Sequence, residues 1–209
     1  MADDRRREID RHYKGGADLG VTTAWLLQRA RSGELPLSML ELACYCDCPE
    51  ACSATGQSRF KGSPLEWARG LAEWGKMPVV IAALAYLRQL PDAEVAWWPE
   101  VRAAVAQVEA WVQEPSEANR RTSYGLSRRL LFRQSAAPAD LPATPRVVSY
   151  LAGTAGTLGQ RGVSAPVLSA RLLVAALSEC DFSDQMSFQV HAKPAVAEWA
   201  LSTTEGHGS

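Results

Sequence analysis

Four of the five cysteines in this 209-residue chain fall within nine positions, in ACYCDCPEACSATG at Ala43–Gly56. Cys44, Cys46, Cys48 and Cys52 could hold a metal ion, form disulfides or carry redox chemistry. Zinc takes four thiolate or imidazole ligands in a tetrahedron, usually as spaced pairs. C-x-C-x-C-x₃-C is not such a spacing, and His12, His191 and His207 could reach it only by tertiary contact. A catalytic thiol needs a base and an activating environment, and the neighbouring residues supply neither. Cys44, Cys48 and Cys52 follow one another at i, i+4, and Cys46 lies off that face. The spacing reads best as reduced structural thiols, packed as small apolar residues at a helix–helix corner. A zinc- or thiol-dependent role centred on Cys44–Cys52 is the alternative.

Two further groups could do work at a surface. Trp97 and Trp98 are adjacent at a helix start, where both cannot face inward, so Trp97 is a candidate anchor for a partner. The segment NRRTSYGLSRRLLFR carries Arg120, Arg121, Arg128, Arg129 and Arg133 against Glu117 nearby. Arg120, Arg121 and Arg128 are candidate partner-binding residues. The basic helix 116–133 could alternatively contact nucleic acid, though no nucleic-acid motif accompanies it. Reaction motifs are missing: there is no G-x-S-x-G, H-E-x-x-H, Walker loop or G-x-G-x-x-G. Gly153, Gly156 and Gly159 read as sites of close helix packing, or as a weak helix, since no strand precedes them to make a phosphate cradle. No catalytic, cofactor-binding or metal residue is assigned.

The elements that position these residues read as helices almost throughout. Thr22 or Thr23 can cap a first helix, which Ser32–Gly33 stops. Pro36 begins a second, with Leu37, Leu40 and Ala43 inward. Pro49 opens a third, and Gly56 ends it. Ser63-Pro64-Leu65-Glu66 is a capping box, followed by Trp67, Leu71 and Trp74 on one face. Residues Val79–Leu87 are apolar all round, which predicts that 78–90 is a central helix buried on every side. Val101, Val105, Val108 and Val112 give the next helix its inner stripe, with Trp111 alongside. Ser116 caps the basic helix. Val147–Leu158, Ser164–Leu177 and Asp184–Leu201 follow, the last broken at Pro194.

The expected fold is all-α: an irregular array of about nine or ten short antiparallel helices, hairpin- or solenoid-like, with no sheet. The expected organisation is a polar arm over 1–20, one helical domain over 21–201 and a disordered tail over 202–209. The Pro/Ala-rich stretch 134–145 is a possible subdivision. With 47% apolar residues the chain can bury a large core, and a net charge of −1 gives it no strong global field. The charged N-terminus lacks the apolar core of a secretory signal, and no apolar run approaches the ~20 residues that span a bilayer. A cytoplasmic location is therefore expected, without membrane association.

Three phrases carry a resemblance. GELPLSMLELACYCDCPEAC at 33–52 and LEWARGLAEWGKMPVVIAALAYL at 65–87 are similar to successive phrases of uncharacterised, mostly myxobacterial, all-helical proteins. VRAAVAQVEAWVQEPSEANRR at 101–121 resembles a phrase of the same proteins and of proposed all-helical bacterial immunity proteins. The resemblance covers about residues 20–130 and departs from those proteins at the four cysteines. It implies a non-enzymatic helical scaffold that binds another protein, with a toxin as the partner to be neutralised. It carries over no site residues and no cofactor.

Overall fold

The computed structural model describes residues 19–89, 99–135, 144–160 and 162–202. Among these the chain forms ten α-helices and one 3-10 turn, with no strand beyond an isolated bridge between Gln160 and Val163. The all-α reading therefore holds. The chain divides into two compact units, residues 1–61 with 193–209, and residues 62–192. The division does not fall at 134–145. The helices on either side of that stretch pack against each other, and the stretch itself lies mostly outside the described residues. The expected arm (residues 1–18 of it) and tail (203–209) also lie outside them.

In the first unit, α1 (Leu19–Arg31), α2 (Leu37–Tyr45) and α3 (Pro49–Thr55) are joined by short turns. Thr22 and Thr23 sit inside α1 rather than capping it; the Thr23 hydroxyl donates back to the Leu19 carbonyl at 2.7 Å. Gly33 and Gly56 take left-handed backbone, which ends α1 and α3 as their positions predict. Leu37 is 60% exposed, so it is not an inward residue; Leu40, Leu42, Ala43 and Cys44 form the buried side of α2. Buried Arg29 donates to the Leu201 carbonyl at 2.8 Å and stacks on Trp25. Asp47, with positive φ, pairs with Lys193 at 2.6 Å.

The second unit holds α4 (Pro64–Gly70), the 3-10 turn Leu71–Trp74, α5 (Lys76–Leu87), α6 (Pro99–Gln113), α7 (Glu117–Ser135), α8 (Thr144–Gly156) and α9 (Ala165–Ser178). It also holds α10 (Phe182–Ser202) as far as Ala192. The Ser63 capping box forms as expected: the Ser63 hydroxyl accepts from the Glu66 N–H, and the Glu66 carboxylate accepts from the Ser63 N–H at 2.8 Å. Donation from the Ser63 N–H, and from the Ser63 hydroxyl at 2.9 Å, holds the Glu66 carboxyl below its usual range.

Every residue of α5 from Pro78 to Ala85 is buried, and Leu87 with them. The next helix, α6, and the more distant α8 and α9 pack on it. A helix with no polar face can be stable only in such a central position. The inner stripe of α6 is Val101, Ala104, Val108 and Trp111 rather than the all-valine series, because Trp111 takes an inner position. Trp67 is fully buried against Phe188, whose ring meets Tyr86 edge-on at 5.4 Å. Pro194 does not break the last helix; α10 runs through it. Pro194 lacks the N–H that would bond the Val190 carbonyl, and Val190 itself is 64% exposed.

Candidate functional site

The basic helix is the best-defined candidate, and its geometry begins with how closely it approaches its neighbour. One face of α7 buries Ser123, Leu126, Ser127 and Leu130. Against it, α8 presents Ser149, Gly153 and Gly156, spaced four and three residues apart so that they share one face. The Ser127 hydroxyl donates to the Ser149 carbonyl at 2.8 Å, and the Ser149 hydroxyl donates to the Ser127 carbonyl at 2.7 Å. This reciprocal pair satisfies two buried hydroxyls that would otherwise oppose burial. At Gly156 a Cβ would lie 2.6 Å from the backbone nitrogen of Tyr124. Only glycine allows that approach, as the sequence expectation of close helix packing requires.

The crossing leaves the C-terminus of α8 facing two cations. Lys76, from the start of α5, donates to the carbonyls of Ala155 at 2.5 Å and Thr157 at 2.8 Å. Its ammonium also lies 4.7 Å from the centre of the Trp111 ring. Arg120 donates to the Gly156 carbonyl at 2.8 Å. The last carbonyls of a helix lack intrahelical partners and carry the negative end of its dipole, so cations suit them. Burial, helped by the charge of Arg120, pushes Lys76 down to about 8. Glu117 closes the group, accepting from Arg120 Nε at 2.6 Å and from Arg121 Nε at 2.8 Å. These two donors hold the Glu117 carboxyl at about 2, and the Glu117 carboxylate in turn raises Arg120.

The structure thus separates the sequence-chosen arginines. Arg120 is a helix-terminus clamp with a side chain 15% exposed, less exposed than a residue chosen to meet a partner is expected to be. Arg121 stands 74% exposed, and Arg128 is exposed one helical turn beyond Tyr124. Tyr124 and Phe132 are 51% and 78% exposed. Arg121, Tyr124, Arg128 and Phe132 run at i, i+3, i+7, i+11 along one outward face. Trp97 lies outside the described residues.

Tyr124 also borders a cleft of about 510 Å³ with Arg120, Gly156, Leu158, Gln160, Leu168 and Arg171 among its walls. Leu158 on its rim is 55% exposed. Arg171 adds a second cation to the same opening. The sequence reading missed Tyr124, Leu158 and Arg171. The helical spacing of Tyr124 between Arg121 and Arg128 was a usable signal for the first; the other two arrive only by folding.

The cysteine corner also differs from expectation. Cys44 and Cys52 form a disulfide, with Cα atoms 4.6 Å apart, so the cluster is not a set of four reduced thiols. The turn from α2 into α3 brings the two together across eight residues of sequence. Cys46 and Cys48 remain outside the disulfide and are buried. The Cys48 thiol donates to the Glu50 carboxylate at 3.2 Å. Among the described residues no three His, Cys, Asp or Glu side chains converge in a way that could hold a metal ion. Cys180, far along the chain, contacts the Tyr86 hydroxyl at 3.2 Å, and burial pushes its thiol up.

No described helix is long and apolar enough to cross a membrane. No protein-family model, curated protein or solved structure matches the chain.

Proposed function

We propose that this chain is a non-enzymatic helical protein that binds an acidic segment of another protein across the outward face of α7. One observation carries the reading: Arg121, Tyr124, Arg128 and Phe132 stand exposed in a single row, beside a cleft whose rim they share at Tyr124. Exposed aromatics bring large contact area, and arginines bring oriented donors that carboxylates match. Five arginines on α7 face one acidic residue, Glu117, on the same helix, so the complementary surface is acidic. The resemblance to proposed immunity proteins suggests a toxin as that partner and neutralisation as the outcome.

The proposed face excludes Arg120, which serves the end of α8. The test therefore uses Arg121→Glu with Arg128→Glu, two exposed positions, the fold of the variant being checked by circular dichroism. Tagged wild-type and variant proteins are used to capture partners from the native cell extract after nuclease treatment. A partner bound by wild type, acidic in its own sequence and bound at least tenfold more weakly by the variant, supports the proposal; tenfold is about 1.4 kcal/mol. Capture that is equal for both proteins overturns it. Capture that disappears on nuclease treatment overturns it in favour of nucleic-acid binding by the same helix.

A further inference from the structure

We propose that Cys52 is a site of reversible thiolation, at which small anionic thiols such as glutathione open the Cys44–Cys52 disulfide. The two sulfurs are unequal. Cys44 is fully buried, whereas Cys52 is half-buried and lines a shallow surface cleft of about 520 Å³. The cleft also contains Arg59 and Lys61, both exposed, together with the polar residues Ser53, Gln57 and Ser58. Among the described residues no carboxylate lines the cleft; Glu41 meets the rim through its contact with Gln57 at 3.2 Å. An incoming thiolate therefore reaches Cys52 from the side on which positive charge is concentrated.

The reaction is thiol–disulfide exchange. The thiolate sulfur forms a bond to Cys52 Sγ, and the Cys44–Cys52 bond breaks with its electron pair leaving on Cys44. Cys44 then takes a proton from solvent. The carbonyl oxygens of Gln57 and Ser58 lie 3.7 and 3.9 Å from Cys44 Sγ, so the thiol formed there has acceptors already in place. Reversal needs only Cys44 to attack Cys52 and expel the thiol. No net oxidant or reductant is consumed, because one disulfide is exchanged for another. The exchange cuts the covalent tie between α2 and α3, and α3 packs on α1.

The experiment treats the full-length, non-reduced protein with glutathione, quenches with an alkylating agent and maps the cysteines by mass spectrometry. The expected product carries glutathione on Cys52 and the alkyl label on Cys44. Arg59→Gln with Lys61→Gln should slow this reaction about tenfold, the lower end of electrostatic steering. The same variant should react unchanged with 2-mercaptoethanol, a neutral thiol. Four results overturn the proposal: alkylation of both Cys44 and Cys52 before any thiol is added, glutathione found first on another cysteine, no adduct with the disulfide intact, or a rate with glutathione that ignores the two cations.

Discussion

Two glycines on facing helices should respond to alanine in opposite senses. Gly125 lies in the middle of α7, and a Cβ placed there meets nothing within 4 Å. Alanine at that position gains helix propensity without strain, so Gly125→Ala should stabilise by about 0.5–1 kcal/mol. Gly156 ends α8, and its added Cβ would fall 2.6 Å from the nitrogen and 2.7 Å from the Cα of Tyr124. Both obstructing atoms are backbone, so no rotamer change relieves them; α7 and α8 must move apart. Overpacking of this kind costs about 1–3 kcal/mol. Separation also stretches the reciprocal Ser127–Ser149 pair, at about 1 kcal/mol for each bond weakened. Against this stands a propensity gain of under about 1 kcal/mol. Gly156→Ala should therefore destabilise by about 2–4 kcal/mol. Urea unfolding followed by tryptophan fluorescence reads both, since Trp67 and Trp111 lie in the same unit as the crossing. Gly156→Ala at or above wild-type stability would refute the claim that α7 and α8 are held in backbone contact.

Leu84 is 4% exposed on central α5, and Leu84→Ala should cost about 2–5 kcal/mol in the same assay; a loss below about 1 kcal/mol would remove α5 from the centre of the core. Cys44→Ala with Cys52→Ala releases a tie across eight residues of sequence, and loop-closure entropy puts the cost at about 2.5 kcal/mol; reducing the wild-type protein should reproduce it, and an unchanged midpoint for both would count against a stabilising disulfide. Glu117 provides an acid-dependent contribution. Its carboxyl stands at about 2 in the folded protein against a usual 4.5, so the folded state binds fewer protons than the unfolded one between those values. Its stabilisation is complete above about 4.5 and is lost as pH falls toward 2. The stability gap between wild type and Glu117→Gln should narrow across that window, and a gap independent of pH would contradict the ion-pair assignment.

Local signals were legible in the sequence where a residue's own chemistry decides the outcome. The Ser63–Glu66 capping box, the stops at Gly33 and Gly56 and the all-apolar α5 need only short-range sterics, hydrogen bonding and a lack of polar surface. Gly156 was legible as a close-packing residue or a weak point in a helix, and the short approach to Tyr124 decides for the first. Pairings across the fold were not legible. Helix-period reasoning placed Cys44 and Cys52 on one face but could not foresee that the turn at Asp47, itself in left-handed backbone, folds α3 back to join them. Pro194 illustrates the same limit: it lacks an N–H for the helix ladder, and the helix still runs through it beside the exposed residue Val190.

Arg120, Arg121 and Arg128 show most clearly what separates composition from site. All three are arginines on one helix, and residue type alone gives them equal standing. Helical geometry already divides them, because 121 and 128 lie seven residues apart on a shared face while 120 is rotated from it by about 100°. That rotation turns Arg120 toward the Gly156 carbonyl, where the α8 dipole and Glu117 together fix it. That cation is engaged at the end of α8 and also lines the cleft beside Tyr124. The clamp and the outward row are thus two consequences of one helix crossing. The α7–α8 approach that requires glycine at 156 also sets which arginines reach solvent.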